Sequence, residues 1–547
     1  MTATSEEQIQ DSEFAYRMKL KQNKTEKTEL FMALFLFYNI FMVCKITTST
    51  IIGLNSYKVE VELDTVNSLP SVSIVGLPDT AVSEARERVR SAIKNSSFTF
   101  PQKKVVVNLA PADIKKEGTN FDLPIAVGIL IEEGVIEEEK TKYIAFLGEL
   151  SLDGTLRGIN GVFSHVLGLK ENGIKAVVVP ACNAKEASLC EGIDILGVNN
   201  LNDVVNHFTD NPIKPTKTNI EEYLSKSIQQ DYIYDFKDVK GQQKAKKALE
   251  IAAAGGHNML MTGSPGSGKT LMAKCFASIL PPLELSEALE LTKIYSISGL
   301  LASDKPLMTE RPFRAVHHTA SANGIIGGGG NPKPGEITLA HRGVLFLDEI
   351  VEFPRNVLEV LRQPLEDGEV VISRAKHSIK YPADFMLLAA MNPCPCGFLG
   401  DKEKQCICTE YQINRYRSKL SGPLLDRIDI QIDVPRLTTD ELLNNQEKNE
   451  TSEEIRKRVV KARKIQKERY KAEGILTNSQ LTSKLVKKYC QPDEASKEIL
   501  KFAITKYQLS GRKYDRMLKL ARTIADLDNS KEINSKHITQ ALQYRLN

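Results

Sequence analysis

Tryptophan is missing from this chain of 547 residues, and all aromatic residues together reach only 6%. An excess of either charge is missing too: 73 Lys and Arg face 69 Asp and Glu, a net charge of +4. So even a balance neither demands nor excludes a nucleic-acid partner, because a basic channel is a local feature. Cysteine is scarce, nine in all, and no secretory pattern accompanies it. A disulfide framework is therefore excluded, and a reduced, cytoplasmic protein is expected. No internal repeat is evident, which argues against solenoids. Long apolar runs are nearly absent. The exception is Leu30 to Cys44, LFMALFLFYNIFMVC, interrupted by Asn39. It is shorter than the roughly 18–20 residues of a spanning helix, it starts late for a signal peptide, and no A-x-A-like cleavage site follows. The expectation is that Met42 is the natural start and residues 1–41 an upstream extension; a membrane-associated helix and a buried core helix are the other readings. No stable membrane association is expected. What remains is a globular composition, 41% hydrophobic and 26% charged, long enough for roughly two to four domains.

What is present is concentrated first in Gly263-Ser264-Pro265-Gly266-Ser267-Gly268-Lys269-Thr270. This fits G-x-x-x-x-G-K-[ST], a loop whose glycines let the backbone bend and aim its N–H groups at phosphate oxygens. Lys269 is expected to reach the terminal phosphates of ATP, and the Thr270 hydroxyl to help hold Mg²⁺. Asn258 to Thr262 before it reads as a buried strand, and Leu271 to Phe276 after it as a helix, the context such a loop needs. Gly343-Val344-Leu345-Phe346-Leu347-Asp348-Glu349 is an apolar strand closed by two acids. Asp348 is expected to support the Mg²⁺ and Glu349 to polarise an attacking water. Together these motifs predict an NTPase.

The rest of the chain divides around them. Residues 42–205 alternate strands and helices: Val59 to Leu63, Val105 to Leu109 and Ala176 to Pro180 read as strands, Asp79 to Lys94 and Asp122 to Leu130 as helices. Residues 206–235, with Pro212 and Pro215, read as a linker. Residues 236–436 hold the nucleotide motifs, and 437–547 carry helical periodicity with many Lys and Glu. The expected fold class is α/β: an N-terminal α+β domain, a central phosphate-loop α/β domain and a C-terminal helical lid.

Further motifs carry a resemblance. Ser73-Ile74-Val75-Gly76-Leu77-Pro78-Asp79, Val107 to Asp113, Arg311 to Thr319, Met391-Asn392-Pro393-Cys394-Pro395-Cys396-Gly397 and Leu424-Leu425-Asp426-Arg427-Ile428-Asp429 follow one another as in the YifB/ComM family of magnesium-chelatase-like AAA+ ATPases. The family has Pro where this chain has Val316. The chain from Met42 onward resembles that family, and the resemblance implies roles. Asn392 is expected to sense the γ-phosphate; its plainer reading is a turn residue before Pro393. Arg427 is expected to act as an arginine finger across a subunit boundary, which implies a ring, a homo-hexamer by resemblance; its plainer reading is a surface ion pair. Arg512 is expected to face nucleotide from the lid, with Arg516 the competing choice. The first domain resembles the proteolytic domain of Lon protease, through Gly148 to Gly154 and Gly173 to Pro180. It has no Ser at the nucleophile position in Glu117 to Asp122, and His165 stands at or near the lysine position. Proteolysis is therefore not expected, Thr119 with His165 being the residual pair.

Cys394, Cys396, Cys406 and Cys408 form two C-x-C pairs that suit a tetrahedral Zn²⁺ site, with inert or redox-sensitive thiols as the alternative. Lys293 to Arg342 is an insertion containing Gly327 to Gly330 and Lys333, flanked by Arg311, Arg314, His317 and His318. It reads as a pore loop touching polyanions, or as a plain connection. The basic stretch around Arg456, Arg458 and Arg463 reads first as a solvated helix face. The resemblance implies a DNA motor driving branch migration. A magnesium chelatase motor and an ATP-switched assembly protein are the alternatives.

Overall fold

The computed structural model describes residues 43–228, 232–302, 304–329, 332–373, 378–401, 403–437 and 449–545. The 1–41 extension and almost all of the apolar run lie outside these residues, as do Gly330 and Lys402. Among the described residues, no helix is long and apolar enough to cross a membrane.

The N-terminal unit is built on a seven-stranded sheet. Its strands are β1 (Cys44–Ile52), β2 (Asn55–Val66), β3 (Ser71–Val75), β4 (Lys104–Ala110), β5 (Ile144–Phe146), β6 (Ala176–Pro180) and β7 (Asp194–Val198). Spatial order is β3-β4-β2-β1-β5-β6-β7. β2 lies antiparallel to both β1 and β4, while β1, β5, β6 and β7 run parallel. The alternation in β2 buries Val59, Val61 and Leu63 on one face, as period-2 patterning requires. Helix α1 (Thr80–Asn95) starts where Asp79 accepts the Val82 amide at 2.8 Å and buries Val82, Ala85, Val89 and Ile93, the stripe read from the sequence. Each large apolar side chain so buried contributes roughly 1.5–3 kcal/mol. Helix α2 (Asp122–Glu132) is buried along nearly its whole length.

The 206–235 stretch is not simply a linker. It carries a helix, Ile220–Ile228, whose Ile220, Tyr223 and Leu224 pack against the apolar cluster of β6 and its neighbours. Three apolar residues at helical spacing suffice for that, although the stretch is polar on average.

The central unit has five parallel strands: β8 (Met259–Thr262), β9 (Phe313–Val316), β10 (Val344–Leu347), β11 (Met386–Met391) and β12 (Ile430–Asp433), in the order β9-β10-β11-β8-β12. The three inner strands β10, β11 and β8 are short, apolar or nearly so, and buried, as strands inside parallel sheets are, while the edge strands β9 and β12 carry Arg314, Gln431 and Asp433. β9 falls inside the insertion expected to be a pore loop. Arg311 there donates to Glu287 at 2.7 Å and to the Arg342 carbonyl at 2.7 Å, and Arg314 holds Glu336 in a two-pronged pair at 2.6 and 2.8 Å. Both arginines are committed to holding β9 on the sheet, which corrects their reading as polyanion contacts. The Gly327–Gly328 segment pairs antiparallel with Lys333–Pro334.

The C-terminal helices pack on the central unit in one apolar cluster. The helix Ser452–Arg469 turns three arginines inward, Arg458 on Glu250 and Glu450, Arg463 on the Ala253 carbonyl and Arg469 on Asp526, and leaves Lys457, Lys461 and Lys464 on an exposed face. The helix Gly511–Leu527 is fastened to the sheet by Arg516, whose Nη1 donates to Asp429 at 3.0 Å. Asp429 also lies 3.2 Å from His257 Nδ1. Burial alone would raise this carboxyl, yet His257 and Arg516 hold it well below the usual carboxylate range. A lowered carboxyl stabilises the fold above the unfolded-state value of about 3.9, and that contribution fades as pH falls through the folded value. Asp429→Asn is therefore expected to cost about 3 kcal/mol at pH 7. Its deficit relative to the wild type should shrink as pH drops below about 4, as urea melts of both proteins across that range will show.

Candidate nucleotide site

The site is assembled at the end of the sheet where the parallel strands finish, beside the crossover between β8 and β11. Such a switch point leaves a crevice outside the strand ends. β8 stops at Thr262, the Gly263 amide is tied to the Met391 carbonyl at 3.1 Å, and the chain turns through the phosphate loop into α5 (Lys269–Phe276). Two further helices frame the central unit: α4 (Gln243–Gly255) leads into β8, and α6 (Leu285–Ile297) follows the loop. Gly266 and Gly268 have φ of +79° and +89°, and a Cβ on either would meet nothing within 4 Å. These two positions need glycine for their backbone angle, and the space before them is where phosphate oxygens fit. Gly263 is glycine for a different reason: a Cβ would stand 2.2 Å from the Val434 carbonyl oxygen.

Lys269 lies folded into its own loop. Its ammonium donates to the carbonyls of Gly263 at 2.6 Å and Ser264 at 3.0 Å. Burial pushes its pKa down, against the pull of Asp348 and Glu349. A buried ammonium with only neutral acceptors lacks an anion, and a phosphate would supply it. Thr270 donates to Asp348 Oδ2 at 2.7 Å, so the hydroxyl and carboxylate that hard cations favour stand together. This donor set fits Mg²⁺, with Thr270 and Asp348 as its protein contacts.

Glu349 follows at the mouth. Its backbone is left-handed, φ +50°, a strained conformation for a residue other than glycine. Its amide donates to Asp348 Oδ1 at 3.0 Å, and its side chain is 53% exposed. His318 Nδ1 lies 3.8 Å from the Glu349 carboxylate, while His318 stacks on His317 with ring centroids 4.1 Å apart. Expected among polyanion contacts of the insertion, His318 instead adjoins the acid at the site. Nothing local in the sequence signals this, because β9 must first be placed next to β10.

Asn392 is the first residue after β11, half-buried beside the phosphate loop. Arg427 is 9% exposed. Its guanidinium donates to the carbonyls of Arg362 at 3.0 Å and Pro423 at 2.7 Å and to the Glu366 carboxylate. It makes no contact with its own phosphate loop. Nor does Arg512 reach it. Arg516, one turn on, binds Asp429 where β12 begins, and the phosphate loop lies beyond the other end of the strands. A four-residue strand spans about 13 Å, so the expectation that Arg512 faces nucleotide is not met within one chain. The lid packs behind the sheet, and Arg512 is exposed there.

In the N-terminal unit, Thr119 and His165 are not paired with one another. Thr119 donates to Glu149 at 2.5 Å, and His165 Nδ1 lies 2.8 Å from the Ser49 hydroxyl. Burial pushes His165 down to about 3, so the ring is neutral. Ser49 and His165 are partners of a packed core, while Thr119 and Glu149 are half-buried.

The four cysteines are brought together. Their sulfurs lie within 4.8 Å of one another, with Cys394 Sγ 3.4 Å from Cys396 Sγ and 3.6 Å from Cys406 Sγ. The last of them, Cys408, precedes α7 (Glu410–Arg417), whose N-cap is Thr409. On the N-terminal side of the molecule, α3 (Val162–Glu171) packs against α6 and joins the two units.

Residues 61–183 match the family model described as subunit ChlI of Mg-chelatase, 235–442 that of magnesium chelatase, subunit ChlI, and 449–545 its C-terminal part. Competence protein ComM of Haemophilus influenzae is 42% identical over 495 residues, 90% of this chain and 95% of its own. Uncharacterized protein YifB of Escherichia coli is 40% identical over 503 residues, covering 91% and 96%. Lon protease 2 of Bacillus subtilis is 29% identical over 181 residues, 29% of this chain and 33% of its own.

Proposed function

The chain belongs to the YifB/ComM family of magnesium-chelatase-like AAA+ ATPases, with an N-terminal Lon-like domain, and from that premise we propose that it is an ATP-driven ring motor acting on DNA. The observation that supports ATP hydrolysis is the Thr270–Asp348 contact of 2.7 Å beside the buried Lys269. Lys269 would exchange its loop carbonyls for phosphate oxygens. Thr270 and Asp348 would hold Mg²⁺, which when bound neutralises phosphate charge. Glu349, exposed and held by its left-handed backbone, would orient the attacking water, and Asn392 would contact the γ-phosphate. Arg427 would serve the pocket of a neighbouring subunit, which requires a ring; the homo-hexamer is what the family resemblance implies. The cysteine cluster is read as a structural Zn²⁺ site, because its sulfur separations fit one.

DNA as the substrate is supported by the competence protein among the relatives; the balanced net charge neither adds to this nor excludes it. A magnesium chelatase motor is the second reading, favoured by the family descriptions, which cover the N-terminal domain as well; the full-length likeness to a competence protein speaks for the DNA motor instead. The deciding experiment is ATP turnover with and without single-stranded and branched DNA. Several-fold stimulation, lost in Lys269→Ala, is expected. No DNA response, together with stimulation by a porphyrin and its binding subunit, would replace the motor with the chelatase. Response to neither would leave an ATP-switched assembly protein.

A further inference from the structure

The cysteine loop does more than close on itself; it lies against the phosphate loop. Gly397, with φ +84°, is so close to Pro265 that a Cβ would stand 2.7 Å from the proline Cδ. Pro265 is the third residue of the phosphate loop. Asp401 lies by the Ser264 hydroxyl, and its Oδ1 accepts the amides of Glu403 at 2.9 Å and Lys404 at 3.1 Å. Gly263, Ser264, Gly400 and Asp401 line one cavity of 360 Å³. From Cys394 to Cys408, then, one segment leaves the strand end beside Asn392, covers the outer side of the phosphate loop and returns to α7. Arg417 of α7 closes the circuit by donating to the Pro393 carbonyl at 3.4 Å.

The segment has two glycines at positive φ, Gly397 and Gly400, and among its described residues no strand or helix before Glu410. Its shape depends on the four sulfurs. Their nearest separations of 3.4 and 3.6 Å are far longer than a disulfide bond of about 2.05 Å. They approach the edge of about 3.8 Å that a tetrahedron with Zn–S of about 2.3 Å has. The Cys396 amide donates to Cys408 Sγ at 3.4 Å, and the Phe398 and Ile407 amides face the Cys396 sulfur. Amide donors around thiolates are the surroundings that metal-bound sulfur has. Cys394 is fully buried and the other three are partly exposed, so the metal would be held from below and reachable from solvent.

We propose that Zn²⁺ bound by Cys394, Cys396, Cys406 and Cys408 braces the phosphate loop, so that metal occupancy sets the affinity for nucleotide. The proposal rests on the zinc reading given above and extends it to a function. Without the metal, Gly397 and Asp401 lose their fixed positions against Pro265 and Ser264. The phosphate loop then has to be ordered at the moment of binding, and affinity falls by the cost of that ordering.

The test uses the full chain purified without added chelator. Metal content is measured, then the Kd for a fluorescent ADP analogue before metal release, after release by a mercurial with removal of the reagent by thiol, and after Zn²⁺ is returned. About one zinc per chain is expected, with affinity weakened at least about tenfold on release and restored on return. Gly397→Ala, which keeps all four sulfurs, is expected to retain zinc and still bind the analogue more weakly. That variant guards against a cysteine variant that simply fails to fold. Less than about 0.2 zinc per chain, or iron in its place, overturns the zinc reading and the brace together. One zinc per chain with affinity unchanged on its release overturns the brace alone.

Discussion

Replacing Glu349 by Gln should leave nucleotide binding intact and lower ATP turnover by about 10²–10⁴-fold, the range for losing a positioned general base. The substitution is nearly isosteric and touches only the 3.8 Å approach of His318: the Glu349 amide, which holds Asp348 at 3.0 Å, is backbone, and the side chain is 53% exposed. What is lost is the charge that draws a proton from water. The left-handed backbone at this position, φ +50°, is strain that a merely solvated acid at a strand end would not need. Binding of a fluorescent ATP analogue and single-turnover hydrolysis, measured on the same preparation, separate the two quantities. A variant that hydrolyses at the wild-type rate would remove Glu349 from the chemistry. Lys269→Ala is the contrasting case, because there the cradle itself is damaged and binding should fail with turnover.

How much of this was legible before the fold is a matter of range. The phosphate loop and the Asp348-Glu349 strand end are readable because their chemistry is carried by backbone bends and neighbours within eight residues. The strands and α1 follow from periodicity, and Asp79 heads α1 as a cap should. The four cysteines are readable as a cluster because the two pairs sit in one short loop. Longer-range facts are not readable. That Gly397 is a glycine because Pro265 lies against it depends on a contact across 132 residues (397 minus 265). Arg311, Arg314 and Arg458 look like free cations along the chain; each meets its carboxylate only when helices from elsewhere arrive. His318 looked like one more basic residue and lies beside Glu349. Arg512 shows the limit of carrying a role over from a resemblance. The motif around it resembles the family's, but the lid to which it belongs sits behind the sheet, and no linear pattern states which side a domain packs on.

Arg427→Ala should lower ATP turnover by about 10³-fold, the effect of removing an arginine that neutralises charge on the transferred phosphoryl group. In the single chain this guanidinium is 9% exposed and is spent on Glu366 and on the carbonyls of Arg362 and Pro423. A purely structural role would therefore also predict damage, through an unpaired Glu366 and lost stability. Mixing separates the two roles. Lys269→Ala has no working cradle but keeps Arg427; Arg427→Ala has the cradle but no finger. Each alone should be inactive. Combined in equal amounts and allowed to exchange subunits, roughly a quarter of the interfaces in a ring would pair an intact cradle with an intact Arg427. Turnover should then reappear, rising with the second variant to a maximum near equal proportions. A structural Arg427 serves only its own chain and cannot be restored by a neighbour, so a mixture as inactive as its parts would confine Arg427 to its ion pair and take away the reason for a ring. Recovery on mixing would show that the Glu366 contact is the resting position of a side chain whose working position lies in the next subunit.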